Sequence, residues 1–376
     1  MMREARLHVC FVLPSLNGGG AERAAVNVIN ALDSSRFRRS LYVFREEGRY
    51  LDDVAPDVTM VAASRDNRWS RIGQLRRYFR TSRPDVVVSF LSYFSTFVAA
   101  KLSAVSPQLI VNLQTPMSAF LRDRDYRWRT PLRRRLFHEV VRATYPRVSA
   151  VVATSPGVAT DLTQMFHVPA ERIVVIPNPI DLAEIDARSR EAIPELGHDG
   201  RPVIVAAGRL AEAKNYPLLV ESLRLLRREH TFRALILGEG ELEGVIRRAI
   251  ADARLDDDVR LCGFQRNPWK YIARADLFAL TSRYEGFGNV IVEAMACGCP
   301  VVATASPGTT ELIEPGRTGL LVDCHRPESF ARALATLLGD PVRRTAMARA
   351  ARAAAERYAL GPVVERYAAL FERVAA

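Results

Sequence analysis

The chain has 376 residues, of which 48% are hydrophobic and 25% charged, a composition typical of a globular protein with enough residues for two cores. No apolar run reaches the ~18 residues needed to span a bilayer, and the charged start, which leads directly into a strand-like run, argues against a cleaved signal peptide. The five cysteines form no zinc-binding pattern, and their odd number predicts reduced thiols in the cytoplasm: Cys10, Cys262, Cys297, Cys299 and Cys324.

The net charge of +11 is unevenly distributed. Up to residue 190 there are roughly 28 Lys and Arg against 18 Asp and Glu, a difference of about +10, and the rest of the chain is nearly neutral. A basic half predicts an anionic surface or a large anionic substrate as partner. Almost all these cations are Arg, so genome composition is the alternative explanation.

The first predicted strand covers residues 7–13 and leads through Asn17-Gly18-Gly19-Gly20 into an apolar-periodic helix. A strand, a glycine-rich turn and a helix start are typical of an anion site, because the first N–H groups of a helix lack partners. The segment lacks G-x-G-x-x-G and a following acidic residue for a nicotinamide ribose. A tight turn without a ligand is the alternative.

Alternating strands and helices continue through the first half. Strands are predicted at residues 40–44, 58–61, 86–90, 109–113, 150–153 and 172–176, and helices at 69–80 and 94–102. The strand at 109–113 ends at Gln114-Thr115-Pro116.

Residues 120–147 form the most basic stretch. Basic residues mixed with aromatic ones predict a membrane surface or nucleic acid, whereas a solvated helix with its apolar side on the core is the alternative. The cations are Arg122, Arg124, Arg127, Arg129, Arg133, Arg134, Arg135, Arg142 and Arg147, and the apolar members are Tyr126, Trp128, Leu132, Leu136 and Phe137.

The first half closes with Ile176-Pro177-Asn178-Pro179-Ile180-Asp181. The prolines restrict the backbone, and the polar stretch up to Gly200 has little periodicity. These features predict an interdomain linker.

The second half repeats the α/β pattern. A strand at residues 203–207 ends at Gly208-Arg209-Leu210, and Lys214-Asn215 stands at a helix start. Phosphate recognition uses the fork of an Arg and the point charge of a Lys, although either residue alone would be an ordinary surface charge. The remaining predicted strands are 234–237, 259–264, 277–280 and 319–322, and the helices are 242–253, 330–338, 346–354 and 363–374.

The richest stretch is residues 277–302, LFALTSRYEGFGNVIVEAMACGCPVV. A buried strand is followed by Gly286 and Gly288, and a helical apolar period begins at Asn289. Glu285 lies in the loop and Glu293 in the first turns of the helix, separated by seven residues. One carboxylate on a helix is usually solvated, but the spacing of the pair is distinctive.

This pair resembles the E-x7-E signature of glycosyltransferase family 4, retaining enzymes with a GT-B fold. The similarity extends along the chain through GG-x-E at Gly19, Gly20 and Glu22, IPN-x-ID at the linker, G-R-L-x-x-x-K-N at residues 208–215, and EAMACGCPVVAT. Relatives often carry a histidine near Gln114, so no histidine-based role carries over to this chain.

The resemblance implies a role for each motif. Glu293 would bind the ribose of a nucleotide donor and Glu285 the hydroxyls of the transferred sugar, while Arg209 and Lys214 would neutralise the leaving diphosphate. Glu285, Arg209 and Lys214 are thus the implied catalytic residues, with no metal and no assigned nucleophile. The other implied donor contacts are Gly19, Gly20, Gly208, Gly238, Gly263, Phe264, Gly286, Phe287, Gly288 and Asn289.

The implied fold is α/β, with two Rossmann-like domains facing across a cleft. The expected division is an acceptor-side domain at residues 1–180, a linker at 181–200, a nucleotide-sugar domain at 201–360, and a terminal helix at 361–376 that returns to the first domain. The donor would be a UDP- or GDP-sugar with no other cofactor, and the acceptor a lipid-linked glycan of cell-envelope polysaccharide. The expected location is the cytoplasmic face of the plasma membrane, with an anionic lipid surface as partner.

Two alternatives belong to other functional classes. A sugar-nucleotide epimerase or a phosphorylase could use the same fold, and product analysis would separate them from a transferase. A nucleic-acid-binding protein would fit the basic charge, but it would need neither Glu285 nor Glu293 and would show a steep salt dependence.

Overall fold

The computed structural model describes residues 6–64, 68–122, 130–193, 199–323 and 326–376. The chain divides into two compact units, one formed by residues 1–179 with 360–376 and the other by residues 180–359. Each unit is an α/β domain built on one parallel sheet, as the alternating strand and helix pattern predicts.

The first unit contains a seven-stranded sheet in the order β3-β2-β1-β4-β5-β6-β7. Its strands are β1 (Leu7–Leu13), β2 (Phe37–Val43), β3 (Thr59–Ala62), β4 (Val86–Phe90), β5 (Gln108–Leu113), β6 (Ala150–Ala153) and β7 (Ile173–Val175). Its helices are α1 (Gly20–Ala31), α2 (Arg68–Ser82), α3 (Tyr93–Leu102), α4 (Met117–Arg122), α5 (Pro131–Thr144), α6 (Pro156–Phe166) and, much later in the chain, α15 (Leu360–Ala375).

The second unit contains a six-stranded sheet in the order β10-β9-β8-β11-β12-β13. Its strands are β8 (Val203–Ala207), β9 (Arg233–Leu237), β10 (Val259–Leu261), β11 (Leu277–Leu280), β12 (Val301–Thr304) and β13 (Gly319–Val322). Its helices are α7 (Leu182–Arg188), α8 (Tyr216–Leu226), α9 (Glu243–Asp252), α10 (Trp269–Ile272), α11 (Asn289–Ala296), α12 (Pro307–Leu312), α13 (Pro327–Leu338) and α14 (Pro341–Ala355).

Each sheet is covered on both faces, which explains why the central strands are continuous apolar runs rather than alternating ones. Two separate clusters of buried side chains lie in each unit, one on each side of the sheet. In the first unit one of these clusters is completed by α15, whose Phe371 ring packs edge-on against Phe11 at 6.2 Å and Phe37 at 6.3 Å. The last helix of the chain is therefore a structural part of the first unit.

The predicted linker at residues 181–200 is wrong in its first part. Residues 182–188 form α7, which begins at Asp181, whose carboxylate accepts a hydrogen bond from the Glu184 N–H at 2.9 Å. Ile185 is buried in the core of the second unit, and the Arg188 guanidinium lies 5.3 Å from the centre of the Trp269 ring. A seven-residue helix with a single buried side chain is too short to show an apolar period.

The strand predicted at residues 259–264 is also too long. It ends at Leu261, because Gly263 adopts a positive φ of 67° and turns the chain away from the sheet. Within the described part of the chain, no helix is both long and apolar enough to cross a membrane. The described cysteines, Cys10, Cys262, Cys297 and Cys299, are free thiols, and Cys324 lies outside the described residues.

His8, in β1, is a buried ionisable group in the first unit, 5% exposed. Its Nδ1 lies 2.5 Å from the Arg38 guanidinium, which can only donate, so Nδ1 accepts and Nε2–H donates to the Ser40 hydroxyl at 2.9 Å. Burial and then the Arg38 charge lower the pKa of His8, partly opposed by the Ser82 carbonyl and the Asp85 carboxylate.

We therefore expect this unit to lose stability in mild acid. The folded pKa is lower than the unfolded one, so the neutral ring stabilises the fold above about pH 6.5. This stabilisation is lost progressively as the pH falls through the folded pKa. The His8→Gln variant should show a smaller decrease in urea midpoint between pH 7.5 and 5 than the wild type, with His230→Gln in the second unit as control. If the urea midpoints of all three proteins decreased by the same amount between pH 7.5 and 5, the role of His8 would be contradicted.

Candidate active site

The candidate site is built at the carboxyl ends of β8 and β11. The strand order reverses at this point, since β9 lies on one side of β8 and β11 on the other. In open parallel sheets, ligands bind at the carboxyl ends of the strands next to such a reversal. The G-R-L-x-x-x-K-N motif follows β8 and the Glu285 loop follows β11, so the topology brings the two motifs to one edge.

The central contact joins Lys214 to Glu285. The Lys214 ammonium Nζ lies 2.5 Å from Glu285 Oε1, and the two side chains are only 21% and 12% exposed. Two further hydrogen bonds hold the two loops together: the Arg283 N–H donates to the Ala213 carbonyl at 2.8 Å, and the Thr281 hydroxyl donates to the Lys214 carbonyl at 3.0 Å. The cation and the carboxylate are thus fixed side by side.

The backbone conformation of Asn215 explains why the G-R-L-x-x-x-K-N motif ends in Asn. It adopts a left-handed conformation with φ of 49° between a short 3₁₀ turn that includes Lys214 and the start of α8. Asn tolerates this conformation better than most residues. This reversal of the backbone positions Lys214 toward the Glu285 loop.

Arg209 has a different environment from Lys214. Its side chain is exposed, and within the described ranges its guanidinium has no carboxylate partner and no hydrogen bond. It stands directly after Gly208, whose carbonyl accepts a hydrogen bond from the Tyr216 hydroxyl at 3.0 Å. Burial and then the Glu285 charge raise the pKa of Tyr216 well above its usual range, so the phenol is a neutral donor.

The loops after β8, β9 and β10 form one backbone network. Gly208 N–H donates to Leu237 O at 2.9 Å, Gly238 N–H to Gly263 O at 2.7 Å, and Leu210 N–H to Glu239 O at 2.9 Å. Sequence reasoning did not identify Glu239, whose carboxylate accepts a hydrogen bond from the Phe264 N–H at 3.3 Å. Gly263 and half-buried Phe264 are therefore held next to Gly238.

Helix α11, which follows the Glu285 loop, carries the second carboxylate of the site, Glu293. Gly288, with φ of 89°, precedes α11, and Asn289 is its first residue. Glu293 lies on the second turn and is 8% exposed. Gly286 is buried in the loop, and the Phe287 ring, 4% exposed, packs edge-on against Tyr358 at 5.3 Å. Because that ring belongs to the core, any ligand contact of Phe287 would come from its backbone.

Gly19 and Gly20 belong to the first unit and precede or begin α1. A second segment braces their loop: the Tyr50 hydroxyl donates to the Gly18 carbonyl at 3.2 Å, and the Leu16 N–H to the Glu47 carbonyl at 3.0 Å. The sequence contains no obvious signal for this support. It shows that the glycine loop is a held structure rather than a loose turn.

Gln114 lies within a largely buried chain of polar side chains in the first unit. Its Nε2 donates to Asn112 Oδ1 at 2.5 Å, and its Oε1 accepts from Asn178 Nδ2 at 2.6 Å. Asn112 in turn donates to the Tyr367 hydroxyl of α15 at 2.7 Å. These hydrogen bonds use both the nitrogen and the oxygen of the Gln114 amide, so a structural role accounts for a glutamine at this position.

The basic stretch is only partly described. Arg124, Tyr126, Arg127, Trp128 and Arg129 lie outside the described residues, as do the side chains of Arg122 and Arg133. In α5, Val141 is buried in the core, whereas Leu132 and Leu136 are 77% and 57% exposed on the outer side, near the exposed Arg134 and Arg135. Among the described residues there is no cluster of three or more His, Cys, Asp or Glu side chains suited to a metal.

Known families match almost the whole chain in two parts. Residues 18–184 match the model of Glycosyltransferase Family 4, and residues 189–354 match that of Glycosyl transferases group 1. The lipopolysaccharide core biosynthesis glycosyltransferase LpsE of Rhizobium meliloti is 25% identical over 338 residues, 88% of each chain.

A second relative is similar over a shorter part. It is the N-acetylgalactosamine-N,N'-diacetylbacillosaminyl-diphospho-undecaprenol 4-alpha-N-acetylgalactosaminyltransferase of Campylobacter jejuni, 34% identical over 197 residues. The match covers 52% of this chain and 52% of the relative, so this chain spans about half the length of that protein in the comparison.

Among solved structures, Anabaena HepE, in complex with UDP and glucose, superposes with a TM-score of 0.83 at 21% identity, over 98% of this chain and 100% of the other. At this identity the likeness concerns the fold. The predicted fold class, α/β with two Rossmann-like domains of the GT-B type, is confirmed.

Gly238 provides a test of the site's backbone. A Cβ added there would lie 2.0 Å from the Gly208 carbonyl oxygen, and the φ of 144° is unfavourable for any residue with a side chain. We expect Gly238→Ala to lower the free energy of unfolding by about 2–4 kcal/mol, measured by chemical denaturation.

Gly244→Ala is the matched control, because it lies in α9 with open space around it. It should be neutral or stabilising by about 0.5–1 kcal/mol. Similar changes in the two variants would show that the close crossing of the two loops is not a constraint.

Proposed function

Because this chain belongs to the family 4 glycosyltransferases of the GT-B fold, we propose that it transfers a hexose-type sugar from a nucleoside diphosphate donor to a lipid-linked glycan, with retention at the anomeric carbon. The observation that carries this proposal is the contact between Lys214 and Glu285 at the reversal of the strand order. It places a cation suited to a diphosphate beside a carboxylate suited to sugar hydroxyls. In a nucleotide sugar, the bond that breaks during transfer joins the diphosphate to the sugar.

The leaving diphosphate needs positive charge as the glycosidic bond breaks. Lys214 and the exposed Arg209 supply two cations for this charge. Preorganised charge of this kind can replace a metal ion, and we propose metal-independent transfer. In this proposal Glu293 binds the ribose hydroxyls and Glu285 the transferred sugar.

The donor is proposed to be a UDP- or GDP-sugar. HepE was solved with UDP and glucose, which agrees with a nucleoside diphosphate in this fold. The proposed acceptor rests on the relatives, since the Campylobacter enzyme is named for a diphospho-undecaprenol substrate and LpsE for lipopolysaccharide core biosynthesis.

Substitution of the two carboxylates tests the donor site. Glu293→Gln should weaken binding of UDP or GDP about tenfold, because an amide is a poorer acceptor for ribose hydroxyls than a carboxylate. Glu285→Gln should reduce turnover more than nucleotide binding, since its contact is with the departing sugar. Calorimetric titration of both variants measures this. Unchanged nucleotide affinity in Glu293→Gln would refute the ribose assignment.

Substitution of the cations tests the diphosphate role. Arg209→Ala and Lys214→Ala should each lower the transfer rate by on the order of 10²-fold, the usual scale for one charge-stabilising group. Arg228→Ala removes an exposed charge from the turn after α8 in the same unit and should have no such effect. Near wild-type rates for both site variants would exclude them from catalysis.

We further propose that the protein is peripheral on the cytoplasmic face of the membrane. The support is the outer side of α5, where Leu132 and Leu136, one turn apart, are exposed near Arg134 and Arg135. Apolar side chains can enter the headgroup region while arginines contact anionic lipids. Each such cation contributes about 1 kcal/mol near an anionic leaflet.

Vesicle sedimentation tests this location. Binding of the wild type should increase with the anionic lipid fraction and decrease with salt, and Arg134→Glu with Arg135→Glu should release the protein while donor binding persists. The control, Arg228→Glu with Arg248→Glu, makes the same charge change on exposed positions of the second unit. Equal binding of the two double variants would show that net charge, rather than α5, is responsible.

A further inference from the structure

The Glu285 carboxylate is held asymmetrically. Its Oε1 accepts two hydrogen bonds, one from Lys214 Nζ at 2.5 Å and one from the Ser282 hydroxyl at 2.6 Å. Its Oε2 accepts none from the residues that the structure describes. The side chain is nevertheless only 12% exposed. Oε2 is not among the described side-chain atoms that are both buried and without a hydrogen-bond partner, so this oxygen is accessible and can accept a hydrogen bond from a ligand.

Ser282 is itself rigidly placed. It is fully buried, and its carbonyl accepts a hydrogen bond from the Thr304 hydroxyl at 2.6 Å, at the end of the neighbouring strand β12. The fixed backbone keeps the Ser282 hydroxyl within hydrogen-bond distance of Glu285 Oε1. It can stabilise one orientation of the carboxylate.

The backbone of Glu285 is also constrained. A Cβ added at Gly308 would lie 2.6 Å from the Glu285 carbonyl oxygen, so the start of α12 packs directly against this residue. Lys214 and Ser282 therefore hold the carboxylate through Oε1, while Gly308 packs against the backbone of the same residue. Oε2 is left for a ligand.

We propose that Ser282 is a positioning residue that, together with Lys214, makes Glu285 a single-oxygen acceptor, with Oε2 presented to one hydroxyl of the transferred sugar. This rests on the proposed donor site and deepens it. Lys214 partly neutralises the charge of Glu285 and lies on the side where the diphosphate binds. Ser282 prevents the carboxylate from rotating and presenting both oxygens to the sugar. Ser282 itself contacts Glu285 rather than the substrate.

If Ser282 positions Glu285, its loss should affect binding of the nucleotide sugar more than binding of the free nucleoside diphosphate. Without the hydroxyl, Glu285 keeps its charge but loses its fixed orientation. We expect Ser282→Ala to weaken binding of the nucleotide sugar about tenfold, the scale of one hydrogen bond to a charged group, and to change binding of the free nucleoside diphosphate less than twofold.

The test is calorimetric titration with UDP and UDP-glucose, and with GDP and GDP-mannose, using whichever pair raises the melting temperature of the wild type more. The variants are Ser282→Ala, Glu285→Gln and the double variant. Because Ser282 acts through Glu285, the double variant should bind the nucleotide sugar no more weakly than Glu285→Gln alone. Ser282→Cys, with a weaker donor of similar size, should be intermediate and serves if the Ala variant does not fold.

Ser222→Ala is the matched control. Ser222 is also fully buried in the second unit, but its hydroxyl donates to the Leu218 carbonyl within α8. It should affect neither ligand. If the wild type binds no nucleoside diphosphate, the proposed function fails. If the wild type binds both ligands but Ser282→Ala weakens both equally or neither, or adds fully to Glu285→Gln, Ser282 is not a positioning residue.

Discussion

The ion pair between Lys214 and Glu285 is the interaction on which the candidate site depends. The two residues are 71 positions apart and lie in loops after different strands, yet Nζ and Oε1 are 2.5 Å apart. A partly buried pair of this kind is stable only with further hydrogen bonds and well-matched geometry. Here the Ser282 hydroxyl donates to the same Glu285 oxygen, and the Thr281 hydroxyl and the Arg283 N–H hold the Lys214 loop in place through the backbone carbonyls of Lys214 and Ala213.

The same constraint explains the glycine residues around the pair. For the loops after β8 and β9 to cross, Gly238 must lie against the Gly208 carbonyl, and for α12 to support the second loop, Gly308 must lie against the Glu285 carbonyl. Lys214 and Glu285 are thereby held at one edge of the sheet. In the proposed function this edge binds the diphosphate and the adjoining sugar.

The first unit is organised differently. Its glycine loop is braced by the segment at Glu47 and Tyr50, and one of its core clusters is completed by a helix from the end of the chain. Tyr367 of that helix joins Asn112, Gln114 and Asn178 in a buried polar chain. Gln114 thereby contributes to structure, since its amide is hydrogen-bonded to Asn112 and Asn178.

The sequence alone determined the α/β class, most strand positions and the family, because buried parallel strands are local apolar runs and the motifs are short. The strands at residues 7–13, 86–90, 150–153, 203–207 and 319–322 occur where predicted. The sequence did not predict three short or context-dependent features: α7, the early end of β10, and the burial of Phe287. Only the tertiary structure decided that β8 and β11 are neighbours, and hence that Lys214, Ser282 and Glu285 meet. The physical reason is that strand order depends on how helices cover both faces of the sheet, which no local period along the chain records.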